Sequence, residues 1–131
     1  MRTWKGLAMV IWLSLLVARC KDENPGSPSD IAFPPTNVSY VRQVQPLFNQ
    51  ACNFVGCHDD GQGQGKLKLT SYYNTVFGLA GVVVPGKPES STLVLRIQGS
   101  VGMRMPPDRN QLDDNQINGI RTWIAEGAKD N

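Results

Sequence analysis

The chain holds a single histidine, His58, among 131 residues. A metal clamped between two imidazoles of one chain is thereby excluded, and a Ser-His-Asp catalytic set has no imidazole to spare. Excess cationic charge is missing as well. The formal net charge is +2, but Arg2, Lys5 and Arg19 precede Cys20, and from Cys20 onward 10 basic residues face 11 acidic ones. Nucleic-acid binding needs clustered cations to neutralise phosphates, so no nucleic acid is expected as a partner. No segment repeats at a fixed period, which leaves one functional unit. The length allows one domain and no second core. A hydrophobic share of 40% against 18% charged residues argues against wholesale disorder.

A long hydrophobic run is also lacking. The apolar stretch Gly6 to Ala18 follows the cationic Arg2 and Lys5. It falls short of the roughly 20 residues that span a bilayer comfortably and fits the h-region of a secretory signal. It has no polar face, as Met9, Val10, Ile11, Trp12, Leu13, Leu15 and Leu16 show, so a buried amphipathic helix fits it less well. The run ends at Cys20, which resembles the lipobox cysteine of bacterial lipoproteins. Residues 1–19 therefore read as a lipoprotein-type signal peptide, with Cys20 as the lipidation site. Arg19 stands where a small residue is usual, and plain secretion or an uncleaved anchor are the alternatives. Lys21, Asp22 and Glu23 resemble a sorting signal to the outer face of the outer membrane, or form a solvated charge run. Residues 20–37 hold Pro25, Gly26, Pro28, Pro34 and Pro35 and read as a tether. The expected location is extracytoplasmic: membrane-anchored through lipid, in the periplasm or on the outer-membrane surface.

Residues 38–131 read as the folded domain, and its signals are helical. Tyr40, Val41, Val44, Leu47, Phe48 and Ala51 recur at helical steps, which places Pro46 in a first turn or at a kink. Thr70 can cap a short helix over 71–77 that Gly78 ends. Val82, Val83 and Val84 run extended into a turn at Pro85 and Gly86. Ser90 or Ser91 can cap another short helix through Ile97, stopped by Gly99. The last helix is the clearest. Asp113 and Gln116 form a capping-box pattern, Ile117, Ile120 and Ile124 make an inner stripe flanked by Trp123, and Gly127 closes it. The class is all-α, with short helices and long loops. So small an apolar inventory spread over so many loops calls for a cofactor or cross-link to complete the core.

Cys52-Asn53-Phe54-Val55-Gly56-Cys57-His58 follows the first helix. Two thiols and an adjacent imidazole are what covalent haem attachment requires: thioethers to the two vinyl groups, and a ring nitrogen for the iron. Two residues between the cysteines are usual, and this chain has four. The surplus must be looped out, with Gly56 placed to supply unusual backbone angles. Two other readings of the motif stand beside this one. One is a Cys52–Cys57 disulfide in an oxidising compartment; the other is zinc, for which a fourth ligand would have to be a distant carboxylate. Met103 and Met105, in Gly102-Met103-Arg104-Met105-Pro106-Pro107, are the thioether candidates for the second axial position. The glycine-rich stretch 61–65 before Lys66 lacks the preceding strand and following Ser/Thr of a phosphate loop, and Asp59 and Asp60 do not fit a calcium loop.

Several landmarks occur in order: Tyr40 with Val44 to Phe48, the Cys-x4-Cys-His motif, Leu67 to Tyr72, Val83 to Ser91, Met105-Pro106-Pro107, and Leu112 to Ile117 with Trp123, Ile124, Gly127 and Ala128. In this order they resemble the monohaem cytochrome c domains related to the planctomycete-type cytochrome c family. The resemblance spans about Val38 to Ala128. It implies a cytochrome c-like fold packed around one covalent haem c, with N- and C-terminal helices crossing near it. It also implies thioethers at Cys52 and Cys57, His58 on the iron, and Met105 opposite, with Met103 in reserve. Arg104, Arg109, Tyr72, Tyr73 and Trp123 are candidate donors to the haem propionates. The function implied is a one-electron carrier of the bacterial cell envelope that meets redox partner proteins there, not an enzyme. A haem-based small-ligand sensing module and a cofactor-free, disulfide-closed adaptor are the alternatives.

Overall fold

The first long helical stretch begins at Ser39, whose extended backbone turns into a helix and whose Oγ accepts from the Arg42 N–H at 3.2 Å. The structure is a computed structural model that describes residues 30–61, 64–107 and 111–131. The signal segment, Cys20, the first part of the tether and Arg109 lie outside the described residues.

The first helical stretch is two pieces. Tyr40–Val44 is a π-helical turn, and α1, Gln45–Ala51, continues from it with Pro46 in its opening turn. Gln45 N–H still bonds back to Tyr40 O, and Pro46, which has no N–H to give, sits where the π-helical turn hands over to the α-helix. Tyr40, Val44, Leu47, Phe48 and Ala51 are buried, as their spacing predicts. Val41 is 63% exposed and does not belong to that stripe, since it follows Tyr40 directly and points away around the helix.

The second helix, α2 (Tyr72–Phe77), starts one residue later than its sequence signal. Ser71 Oγ, not Thr70, accepts from the Asn74 N–H at 3.3 Å. Thr70 is engaged elsewhere, donating to Asp60 Oδ1 at 2.6 Å. Between Val82 and α3 (Thr92–Gln98) the buried Ser91 hydroxyl accepts from Val84 N and donates to Lys87 O. It thus closes the preceding turn rather than capping its own helix. Gly99 ends α3 in the left-handed region at φ 77°, where only glycine avoids a Cβ penalty.

The capping box of α4 (Asp114–Ala125) forms in full between Asp113 and Gln116. Ile117, Ile120, Trp123 and Ile124 are all buried. Trp123 meets Tyr40 with ring centroids 5.4 Å apart, and Tyr40 meets Tyr72 edge-on at 5.2 Å. The first helical stretch therefore touches α4 through this aromatic pair. The flank of α4 packs against α3 and the short 3-10 turn Pro88–Ser90. No strand occurs among the described residues, in keeping with the all-α class.

The last residues of the proline-rich stretch are part of the fold. Phe33 is 6% exposed, and its backbone N–H and C=O both bond the Asn115 side chain, at 2.8 and 3.1 Å. Its ring lies on Gly119, where a Cβ would come within 2.1 Å of it. Proline content alone hid this, because one aromatic anchor among prolines has no periodicity to read.

Candidate haem-binding cleft

Where α1 ends, the Cys52 and Asn53 N–H groups both return to Phe48 O, at 2.8 and 2.9 Å. The chain then folds back on itself. Cys57 N bonds Phe54 O at 2.8 Å, and His58 N bonds Cys52 O at 3.2 Å. Gly56 makes the reversal at φ 81°, with nothing within 4 Å of a would-be Cβ. The surplus length is pushed outward: Phe54 is 46% and Val55 94% exposed. A four-residue spacer thus keeps the two cysteines on one side of a single loop.

Residues 67–69 run alongside and hold the motif in place. Leu69 N–H donates to His58 O at 3.0 Å, and His58 Nδ1–H donates to Leu67 O at 3.1 Å. The Asn53 side-chain amide donates to Leu69 O at 2.8 Å, as the Gln45 amide does at 3.0 Å. With Nδ1 committed as a donor, the neutral ring keeps its lone pair on Nε2, the tautomer a metal ligand needs. The Leu67 carbonyl is a site group that no sequence motif announces.

Two adjoining cavities, of about 290 and 190 Å³, share Cys52, His58, Gln64, Met105 and Pro106 as lining. Leu67, Leu69, Val82, Leu93 and Ile97 make the wall of the larger apolar. Cys57, Phe54 and Pro107 border the smaller. The fold therefore brings the Cys52–His58 loop and Met105, two stretches far apart in the chain, to one cleft. Met103 is not among the lining residues and is 64% exposed.

The Met105 loop is tied down on several sides. Met105 N–H donates to Arg96 O at 2.9 Å, and the Met105–Pro106 peptide is cis. Arg104 donates through Nε to Ile97 O and through Nη2 to Leu112 O, both at 3.1 Å, bridging the end of α3 to the approach to α4. Burial pushes the Cys52 thiol up to about 12, with the nearby Cys57 adding to the effect. Cys52 is thus a neutral thiol at neutral pH.

Of the donors proposed from sequence for the haem propionates, Arg109 lies outside the described residues, and Trp123, Tyr72 and Arg104 are engaged elsewhere. Trp123 Nε1–H donates to Lys129 O at 2.9 Å, and Tyr72 O–H donates to Ala128 O at 2.8 Å. Arg104 is spent on its two carbonyls, and Tyr73 stands exposed off the cleft. None of these four described residues lines either cavity, and Arg96, which sequence reasoning passed over, does. Cys52 and Cys57 are free thiols. Among the described residues no three His, Cys, Asp or Glu side chains converge to hold a metal ion, so the geometry builds no zinc site around the motif.

An all-α domain whose cleft gathers two thiols, an imidazole and a thioether has the donor set of a c-type cytochrome. Comparison with known families agrees: residues 55–109 match the family described as Planctomycete cytochrome C. The match takes in Cys57, His58 and Met105 and begins after Cys52, a shorter span than the Val38–Ala128 resemblance. No curated protein and no solved structure matches the chain. The family implies covalently bound haem c, and the residues of this cleft fit that group by the chemistry of their donors.

Proposed function

We propose that this protein is a one-electron carrier whose haem is attached through Cys52 and Cys57, with His58 and Met105 as axial ligands. One observation carries the reading: His58, its Nδ1–H bonded to Leu67 O, and Met105 line the same apolar cleft as both cysteines. When bound, the haem supplies a ferric/ferrous couple. The chain's own residues do the rest. Leu67 O orients the imidazole by accepting from its Nδ1–H, as outer hydrogen-bond partners do for metal-bound histidines. The bonds from Met105 N and Arg104 hold the thioether loop still, which keeps rearrangement between oxidation states small. Leu69, Val82, Leu93 and Ile97 exclude water, favouring the less charged ferrous state and, together with a thioether ligand, a raised potential.

The cationic and apolar leader supports placing this carrier in the cell envelope, anchored by lipid at Cys20. No described helix is long and apolar enough to cross a membrane. Its partners there would be redox proteins met through small, brief interfaces. Protein made in cells with active haem-attachment machinery is the test, by intact mass and visible spectrum. The expected result is haem that stays with the chain after denaturation. A polypeptide with no mass beyond its amino acids and acyl chains would refute the reading.

A further inference from the structure

Arg96 is the one charged side chain among the described residues that line either cavity. It sits on α3 four residues after Thr92, which lines the same cavity, so both belong to one helix face. Arg96 as a residue is half-buried, and no carboxylate pairs with it among the described residues. The one hydrogen bond its guanidinium makes among the described residues is long: Nη1–H to Met103 O at 3.4 Å. A guanidinium carries five N–H donors, so most of its capacity is unspent beside an apolar wall. Room has been left for it. Gly102, at φ 61°, packs so closely that a Cβ there would lie 2.4 Å from Nη1 and 3.0 Å from Cζ.

A cation on an apolar cavity edge is costly to desolvate unless an anion joins it, and a planar fork matches a carboxylate two bonds at a time. Haem would bring two carboxylates to a cleft whose described lining carries no charge besides Arg96. Resting on the haem-carrier reading, we propose that Arg96, with Thr92 beside it, is the propionate-binding edge of this cleft. Arg96 then acts at two points. Its guanidinium takes the haem carboxylate and steadies Met103 O, while its carbonyl holds Met105 N–H at 2.9 Å. Arg96 is thus a positioning residue that links the cofactor's carboxylate to the axial-ligand loop.

The test compares haem-loaded full-chain protein with its Arg96→Gln and Arg96→Lys variants, by intact mass, redox titration and the vibrational bands of the propionates. Arg96→Gln should keep its haem mass and lower the reduction potential, because loss of a nearby cation favours the ferric form. The expected size is on the order of tenfold in the one-electron equilibrium, about 59 mV. Its propionate bands should shift. Arg96→Lys should recover most of the potential but leave the bands shifted, since an ammonium lacks the fork. Loaded Arg96→Gln with wild-type potential and bands overturns the proposal while the carrier reading stands. A changed salt dependence of electron transfer with unaltered bands also overturns it, placing the guanidinium toward a partner protein. Should Arg96→Gln fail to accumulate, Arg96→Lys decides alone, and unshifted propionate bands there sink the proposal. Wild-type protein without haem mass defeats the carrier reading and this proposal together.

Discussion

His58 Nδ1 donates to the carbonyl oxygen of Leu67, nine residues further along, at 3.1 Å. The bond links the imidazole to the strip of chain that also receives Asn53 and Gln45, so one short segment orients the ring and closes the motif loop. His58→Ala should leave haem attached, because the thioethers do not depend on the imidazole, but abolish normal axial ligation. Intact mass should be that of the loaded variant, and the visible spectrum should lose the six-coordinate form. A wild-type spectrum would place the axial nitrogen elsewhere.

Met105 and Met103 separate cleanly. Met105→Ala should keep its haem, bind carbon monoxide promptly when reduced at neutral pH, and lower the potential by on the order of tenfold or more in the one-electron equilibrium, about 59 mV per tenfold. Met103→Ala should change neither, because that side chain is exposed and off the cleft. The reverse pattern would move the ligand role to Met103. Prompt carbon monoxide binding by the unaltered protein would favour the sensing alternative.

Phe33 and Gly119 form a matched pair, a ring laid on a helix that has no side chain beneath it. Phe33→Ala should destabilise the loaded protein by about 3–5 kcal/mol, the usual cost of emptying a buried aromatic site. Gly119→Ala should cost about 1–3 kcal/mol by overpacking, since its new methyl would collide with the ring. Urea unfolding followed by circular dichroism measures both. A Phe33→Ala midpoint equal to wild type would mean residues 31–37 only rest against the domain.

Glu89 and Arg121 give a pH signature. Their hydrogen bond holds the Glu89 carboxyl below its usual value of 4.5, despite some opposing desolvation. A carboxyl whose pKa is depressed on folding adds stability above its unfolded pKa and loses it as pH falls through the folded one. The pair is solvent-exposed, so the effect is small and screened by salt. Thermal midpoints of wild type and Glu89→Gln should differ slightly at neutral pH and low salt and converge in acid. A gap that widens below pH 4.5 would contradict this assignment.

Legibility in the sequence followed the range of the interactions. Local signals read well: the capping box at Asp113 and Gln116, the left-handed stop at Gly99, the buried stripe of α4 and the order of the cysteine motif all depend on neighbours within about one helical turn. Single-residue competition read poorly. Thr70 and Ser71 are equally good caps by type, and only the pull of Asp60 on Thr70 separates them. The same holds for the propionate donors, since Arg104, Tyr72 and Trp123 look available until the carbonyls that occupy them are seen.

By itself the amino-acid order determined the helical class, the three-part layout of leader, tether and domain as an expectation, and the chemistry open to residues 52–58, because these rest on side-chain type and short spacing. Tertiary structure alone decided which methionine shares a cleft with His58, which arginine lines it, and that Phe33 belongs to the core. Those outcomes depend on segments dozens of residues apart meeting at a few ångströms, where competing partners are chosen by geometry and not by composition.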